Sequence, residues 1–483
     1  MKNKVFAGES WTIEDLHNFW EVIDNIGKDW GITYPKTQIE ILSSSQMVET
    51  IATIGSPCSY DHWSIGKSAI NLQAEYDKGH SGLALELIIN SDPTIMYISE
   101  NNTLIQQGLV LAHAGIGHGS VFKHNYLFKQ WTDATSILDY LSFSRKYISE
   151  CEMKYGPRPV EEMLDMCHAL QDFGVSQHKR KRLKDYKVKQ EILQEEQQAV
   201  GIRQIDKKYK SKINTSLNKL TTGIEDKVIM EFPEENILYF IEKYSTNLRP
   251  WHREILRINR KIAEYFYPQR KTKFLHEGWA TFIQYMTFDE LLKRGHITEG
   301  GYLEFLRNHV NVIYQPGASH NFTYSGTMNP YAIGFAIFED LYRMTISPTK
   351  EDLKEYPEIC NTDWKISLME IVKNYSDADF VSRYLTSRVI SKYKLFTVES
   401  DYKSERISIT NTANSIDNIR EIFAAQRTIG YHSPIVSIAG YEDEVLQLSI
   451  ESTPGHIPDY KSMEEICHYI HILWGDAVSI TDK

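Results

Sequence analysis

Apolar residues recur at helical spacing along most of this chain. The first such stripe lies on one side of a predicted helix and consists of Trp11, Leu16, Trp20, Ile23 and Ile26. Helical patterns then dominate from residue 101 to about residue 388, and Pro250 is suitably placed to open one of these helices. The pattern therefore predicts a main body that is mostly α-helical.

Two stretches depart from the helical pattern. Residues 82–98 alternate, carry β-branched side chains and contain an Asp-Pro turn, which predicts a hairpin of two strands. From about Leu395 strand and helix patterns mix, as expected where two helices cover one face of an antiparallel sheet. The prediction is an α+β protein with a large, mainly helical domain over residues 1–392 and a small α+β module over residues 393–483.

Composition narrows the class of protein. The chain has 483 residues, 42% of them hydrophobic, which is enough for a large core, and its net charge of -11 argues against bulk affinity for nucleic acid. Five cysteines without a CxxC pair favour neither a disulfide framework nor a zinc knuckle and fit a reducing compartment. Neither a signal peptide nor a long apolar segment is evident, so we expect a cytoplasmic protein without membrane insertion.

One strongly basic stretch interrupts the helical region. HKRKRLKDYKVK, residues 178–189, leads into a segment rich in Gln and Glu with few apolar residues. We interpret residues 177–215 as a charged insertion, either a solvated helix or a mobile segment. The alternative is a docking site for an acidic partner.

The stretch LVLAHAGIGHGSVFKHNY, residues 109–126, raises the question of chemistry because histidines alternate with glycines. A dinucleotide-binding loop would need a third glycine at position 120, where the chain has Ser120. Histidines close together in sequence instead favour a metal site. The candidates are His113, His118 and His124.

The spacing of the first two histidines sets a condition on such a site. His113 and His118 are five residues apart, which turns them about 140° from each other on an ideal α-helix. They share a face only if the helix contains a π-bulge or ends at Gly115 or Gly117. Otherwise one histidine is a satisfied core residue and the other lies at the surface.

A second candidate stretch is FLHEGWATFIQYMTF, residues 274–288. Its apolar residues fall at helical spacing, with His276 and Glu277 at the start. Glu277 is a candidate metal ligand, although a carboxylate there could simply stabilise the helix N-terminus. Ala280 occupies the place of the second histidine in an HExxH motif, so this helix alone cannot be a complete zinc site.

Several blocks, in order along the chain, carry a resemblance to a known family. They include YPKTQIEILSSSQM, YDHWSIGKS, NSDPTIMYISENNT, LAHAGIGHGSVFKHNYLF, WTDATSILDYL, FPEENILYFIEKYS, FLHEGWATF, VIYQP, NPYAIGFAIFED and ILWG. By these blocks the chain resembles the SpoVR family, the stage V sporulation protein R-like proteins, over nearly its whole length. The resemblance implies a bacterial cytosolic protein associated with spore cortex formation or stress physiology, with a PrkA-type serine kinase and a von Willebrand-like protein as possible partners.

A second resemblance concerns chemistry. A histidine-rich helix end followed by an EGWA helix is similar to the glutamate-zincin peptidases, which implies a zincin-like main domain. It also implies a divalent metal held by His113, His118 and Glu277, with zinc ahead of iron or manganese. Those peptidases have a glutamate directly after the first histidine as general base, where this chain has Ala114. A base would have to come from elsewhere, and the candidates in the SpoVR-like blocks are Glu86, Asp61 and His62.

The SpoVR pattern EGWATFWH places a histidine where this chain has Gln284. Position 284 lies two helical turns from Glu277, about 10 Å along the axis, which predicts a neighbouring subsite outside the coordination shell. Lys123 and Asn125 fit the wall of the same polar cavity, together with His276, although both could equally be surface residues.

These features favour a metal-dependent hydrolase of an amide or peptidoglycan-related bond. Two alternatives stay open. One is a non-catalytic adaptor or regulator that works with a PrkA-type kinase, and the other is an iron-dependent oxygenase, since two histidines and a carboxylate suit iron(II).

Overall fold

The computed structural model describes most of the chain, and its α+β composition with a majority of helix confirms the predicted class. The described residues are 4–53, 60, 62, 63, 67, 86–176, 233–315, 329–395, 397–401, 406–410, 416–429, 435–442, 444–451 and 460–482. Asp61 and the basic insertion lie outside them.

The N-terminal part combines helices with a small sheet. Its elements are α1 (Ile13–Asp29), β1 (Thr37–Leu42), α2 (Ser44–Thr53), β2 (Glu86–Ile89) and β3 (Thr94–Ser99). The sheet has the order β1-β3-β2, with β1 parallel and β2 antiparallel to β3. The predicted hairpin is thus confirmed over its described residues, and so is the first predicted helix, whose N-terminus is closed by a capping box of Thr12 and Asp15.

A nearly continuous helical run follows the hairpin. It consists of α3 (Leu104–Val110), a π-helical segment (Leu111–His118) and α4 (Gly119–His124). Next come α5 (Tyr126–Trp131), α6 (Ile137–Tyr155), α7 (Pro157–Ala169) and a short 3₁₀ turn (Gln171–Phe173). Beyond the insertion the chain continues with α8 (Ile237–Tyr244), α9 (Pro250–Lys271), α10 (Lys273–Lys293) and α11 (Glu299–Val312). Pro250 opens α9 as predicted.

The last helices of the main body are α12 (Pro330–Ile346), α13 (Lys350–Glu355), α14 (Trp364–Asn374), α15 (Asp377–Tyr384) and α16 (Ser387–Tyr393). Helix α10 lies at the centre of this body and packs against α12 and the π-helical segment. Close backbone contacts make this possible. A Cβ atom on Gly278 would overlap the backbone of Gly334 on α12, and one on Gly117 would lie 2.5 Å from the Cα of Ala280.

The C-terminal residues form β4 (Thr397–Asp401), β5 (Arg406–Thr410), α17 (Ile416–Ile429), β6 (Ile435–Glu442), β7 (Val445–Glu451), α18 (Tyr460–Trp474) and β8 (Ala477–Asp482). The strands and helices predicted there are confirmed. The prediction of a single antiparallel sheet is wrong, because β4 and β5 form a separate pair and β8 runs parallel to β7. Helix α18 supplies the crossover connection that two parallel strands require.

The buried side chains form two large clusters. The first core surrounds α10 and contains Phe282, Phe338 and Ile116. The second core combines residues of α6 to α9 with residues of β6, β7 and α18, including Ile255 and Ile438. The division of the chain at residue 392 stays a prediction. In the described part of the chain, no helix is both long and apolar enough to span a lipid bilayer.

Candidate metal centre

The π-helical segment brings His113 and His118 to the same side of the helix. In a π-helix each N–H bonds to the carbonyl five residues earlier, so residues five apart lie one turn apart. The two imidazole rings stand with centroids 4.6 Å apart and planes nearly perpendicular. His113 and His118 therefore lie on one face of the helix, and of the conditions that the sequence allowed for this, the π-helical one is met. His124, the third histidine of the stretch, instead bonds to Thr33.

The glycines of this segment let it approach its neighbours. A Cβ atom on Gly115 would lie 2.6 Å from the Trp20 ring, and Gly117 rests directly on Ala280 of α10. This contact explains the alanine in EGWA, since Ala280 is small enough for the segment to approach α10. Both histidines are thereby brought towards the start of α10, where Glu277 lies.

The position of Glu277 is set by the first turn of α10, which directly precedes it. The two carboxylate oxygens of Asp377 accept hydrogen bonds of 2.9 Å from the backbone N–H groups of Phe274 and Leu275, and so hold that turn in place. The Oε2 atom of Glu277 lies 3.5 Å from Nε2 of His113 and 3.5 Å from Nε2 of His118.

Glu86 reaches the same point from the first residue of β2. Its Oε1 atom lies 3.5 Å from Nε2 of His113, and the potential ligand atoms of Glu86, His113 and His118 all lie within 4.8 Å of one another. Tetrahedral zinc ligands at 2.0–2.2 Å from the ion stand roughly 3.3–3.6 Å from one another. The separations among these donors are close to those that a shared ion requires.

Several polar atoms of this cluster are buried without a hydrogen-bond partner among the residues that the structure describes. An unpaired buried polar atom costs about 1–3 kcal/mol, and more when the group is charged. A divalent cation would satisfy the atoms that face it and would balance two carboxylates. The atoms are Oε2 of Glu86, Nε2 of His113, Nδ1 of His118, Nε2 of His276 and Oε2 of Glu277.

The protonation states of two groups, His118 and Glu277, also suit metal binding, whereas Glu86 holds its proton more tightly. Burial, reinforced by His276, lowers the pKa of His118 well below its usual value and keeps the imidazole neutral. Burial would raise the pKa of Glu277, but His118 and His113 outweigh it and lower that pKa, so the carboxylate is ionised. Burial raises the pKa of Glu86 to about 7, against the charge of His113. A neutral imidazole and an ionised carboxylate are the forms that bind metals.

Two further predicted residues lie behind the ligands. The His276 ring is buried with its centroid 4.4 Å from that of His118, between Phe122 and Phe128. Gln284 contacts His113 directly, since its Oε1 atom lies 2.9 Å from Nδ1 of the imidazole. Gln284 thus lies on the side of His113 opposite to the cluster.

The remaining predicted residues lie elsewhere. Lys123 is exposed to solvent, and the Asn125 amide donates hydrogen bonds to the carbonyl groups of Val372 and Tyr375. His62 belongs to another group, where its Nε2 lies 3.2 Å from a carboxylate oxygen of Asp165. Of the three candidate bases, Glu86 is therefore the one that the described residues bring to the cluster.

Two contributors were not found from the sequence. The Tyr331 ring stacks with its centroid 6.0 Å from that of His113. Burial, together with the nearby carboxylates of Glu277 and Glu86, raises the pKa of Tyr331 well above its usual value. Nδ1 of His309 lies 3.3 Å from Nε2 of Gln284. Tyr331 lies in the block NPYAIGFAIFED, but its place at the start of α12 carried no chemical signal.

Comparison with known proteins identifies the family. A family model described as SpoVR like protein matches residues 10–432. The chain belongs to the SpoVR family. This SpoVR-family chain is also 39% identical to a protein of Escherichia coli (strain K12) named uncharacterized protein YcgB, over 493 residues that cover 99% of this chain and 93% of that protein. No solved structure matches the chain.

Proposed function

We propose that this SpoVR-family protein is a metal-dependent hydrolase of an amide or peptidoglycan-related bond, with a zincin-like set of ligands. The observation that carries the proposal is the convergence of the side chains of Glu86, His113, His118 and Glu277, whose facing atoms lie 3.5 Å apart. Two of these facing atoms, Nε2 of His113 and Oε2 of Glu277, are buried without a hydrogen-bond partner among the described residues. Structural stability alone gives no reason to bury such atoms unpaired.

The ligands are His113, His118 and Glu277, and zinc is the ion that this set fits best. Two imidazoles and one carboxylate leave a fourth position for water, as in catalytic zinc sites. A bound divalent ion supplies two things, a lowered pKa of its water and polarisation of the substrate carbonyl. The His113 side chain is 3% exposed, whereas Glu277 is 18% and Glu86 is 21% exposed, so substrate approaches from the side of the carboxylates.

Glu86 acts as general base in place of the glutamate that Ala114 replaces. A base works best when its pKa is near the working pH, and burial brings that of Glu86 to about 7. Its carboxylate accepts a proton from the attacking water and returns it to the leaving amine. Its Oε1 atom, 3.5 Å from Nε2 of His113, supports this role because it lies beside a proposed ligand.

Tyr331 serves as a hydrogen-bond donor to the substrate oxygen. Its raised pKa keeps the phenol protonated at neutral pH, and the stacking of its ring on His113 supports a role beside the ligands. A donor aimed at the oxygen that gains negative charge stabilises the transition state.

The proposal is tested by metal analysis of the purified full-length chain. We expect one zinc per chain by elemental analysis, lost in His118→Ala and Glu277→Gln. His124→Ala is the matched control, because His124 lies in the same stretch but bonds to Thr33. The metal-loaded chain is then assayed on peptidoglycan-derived peptides. A chain that binds no metal under metal-replete conditions would contradict the hydrolase and favour the adaptor of a PrkA-type kinase and its von Willebrand-like partner.

An iron-dependent oxygenase is the second candidate, supported by the same donor set. Two imidazoles and one carboxylate with open positions are the ligands of non-haem iron(II) oxygenases. A measurement of one iron per chain, together with oxygen consumption, would favour the oxygenase over the hydrolase.

A further inference from the structure

We infer that Gln284 is a positioning residue of the metal centre. Its amide holds His113 in the tautomer that presents Nε2 to the ion, and His309 holds the amide. The inference rests on the metal site of the proposed function. It goes further by assigning a role to two buried side chains that do not touch the ion.

The first step is the hydrogen bond between Gln284 and His113. Oε1 of the amide lies 2.9 Å from Nδ1 of the imidazole, and both residues are buried. An amide oxygen can only accept, so Nδ1 carries the proton. In the neutral imidazole the other nitrogen, Nε2, then carries the lone pair, and this is the atom that lies 3.5 Å from both Glu86 and Glu277.

The second step is the anchoring of the amide itself. Nε2 of Gln284 lies 3.3 Å from Nδ1 of His309, which can accept a hydrogen bond from it. The His309 ring is buried among aromatic side chains, with its centroid 4.8 Å from that of Phe335 and 5.3 Å from that of Tyr285. These ring contacts hold the His309 imidazole in place, and the imidazole holds the orientation of the amide.

The opposite orientation of the amide would prevent metal binding. Rotation by half a turn would place the NH₂ group against Nδ1 of His113 and force the imidazole proton onto Nε2, inside the cluster. A protonated Nε2 has no lone pair for a metal. The order of donors from His113 through Gln284 to His309 therefore selects the state of His113 that can bind.

The neutral charge of Gln284 has a chemical consequence. A carboxylate behind a ligating histidine makes the imidazole a stronger donor and adds negative charge to the site. The cluster already contains two carboxyl groups, those of Glu86 and Glu277, beside His113. An amide orients His113 without a third negative charge, and so preserves the acidity of the bound ion.

The test compares zinc affinities of full-length variants by competition with a chromophoric chelator. Gln284→Met keeps the length of the side chain and removes both polar atoms, and we expect about 10–100-fold weaker binding. Gln284→Glu restores an acceptor for Nδ1 of His113 and should recover most of the affinity. His309→Phe should give a smaller loss than Gln284→Met, because the amide keeps its bond to His113.

Thr287→Val is the matched control. Thr287 is a buried polar residue on the same helix, and its hydroxyl has no hydrogen-bond partner in the described part of the chain, so its loss should leave zinc affinity unchanged. Circular dichroism and thermal melts confirm that each variant folds. Wild-type affinity in a folded Gln284→Met variant overturns the inference and leaves the proposed function intact. Absence of zinc binding by the wild-type chain overturns the proposed function instead.

Discussion

The two carboxylates of the metal centre lie in different electrostatic environments. Burial raises the pKa of Glu86 to about 7, whereas the pKa of Glu277 is lowered because two histidines outweigh its burial. Carboxylates whose pKa values are driven apart in one site take different roles. This separation is the reason to assign Glu277 as ligand and Glu86 as base.

The raised pKa of Glu86 predicts a pH dependence of stability in the metal-free protein. The folded chain holds the proton more tightly than the unfolded chain, whose ordinary pKa is 4.5. Glu86 therefore favours folding most below pH 4.5, and this contribution is lost as the pH rises through about 7. The loss amounts to at most about 3 kcal/mol, from 1.36 kcal/mol per pKa unit.

The measurement is urea unfolding at pH 5 and pH 8 with a chelator present, for wild type and Glu86→Gln. Raising the pH from 5 to 8 should lower the unfolding free energy of the wild type more than that of Glu86→Gln. Subtraction removes titrations that both proteins share, such as that of His118. Equal pH dependence in both proteins would show that Glu86 is not held protonated by the fold.

At the scale of elements, the contact between α10 and α12 depends on glycine. A Cβ atom on Gly278 would overlap the backbone of Gly334, which has no flexible side chain to move away. Gly278→Ala should force the helices apart, lower the free energy of unfolding by about 1–3 kcal/mol and weaken zinc binding through the adjacent Glu277.

Gly300→Ala on α11 is the matched control for this prediction. A Cβ atom there meets only the Thr298 hydroxyl at 3.7 Å, so alanine should be neutral or slightly stabilising through its helix propensity. Thermal melts and zinc titration report both effects. Wild-type stability in Gly278→Ala would mean that the two helices do not approach as closely as described.

The start of α10 provides a second prediction at this scale. Asp377 accepts from the backbone N–H groups of Phe274 and Leu275, one turn before the metal ligand. Asp377→Ala should cost about 1–2 kcal/mol and also weaken zinc binding, because the first turn of α10 loses its anchor.

Asp363→Ala separates the two effects. Asp363 caps α14 and accepts from the Lys365 N–H group, so its loss should cost a similar amount without a change in zinc affinity. Chemical unfolding measures the stability and chelator competition measures the affinity. Equal zinc affinity in both variants would contradict the positioning role of Asp377.

At the scale of the whole molecule, the C-terminal residues pack into both cores. Ile438, Leu448 and Ile470 belong to the second core, and the Arg420 side chain on α17 donates to the carbonyl of Leu385. Residues 1–392 expressed alone should therefore lose cooperative unfolding and associate, because the apolar surface beneath β6, β7 and α18 becomes exposed.

Calorimetry and size-exclusion chromatography of residues 1–392 test this expectation against the full chain. A monomeric fragment with an unchanged melting temperature would contradict it and would support the division at residue 392 as a boundary between independent domains.

Local features of the site were predictable because they follow from neighbouring residues. The helical stripe of α1 and the hairpin around the Asp-Pro turn are consequences of spacing. So is the condition that His113 and His118 share a face only where the helix has a π-bulge or ends at Gly115 or Gly117. The predicted antiparallel C-terminal sheet was wrong because strand direction depends on how α18 crosses over, which periodicity does not encode.

The sequence by itself determined the family, the helical elements and the identity of the histidines that can share a face. Only the tertiary structure decided that Gln284 bonds to His113, 171 residues away along the chain, and that Tyr331 and Glu86 join the same cluster. Local geometry is set by dihedral preferences and hydrophobic spacing within a few residues. Contacts between distant residues depend instead on how helices pack, and here on the glycines that let α10 approach its neighbours.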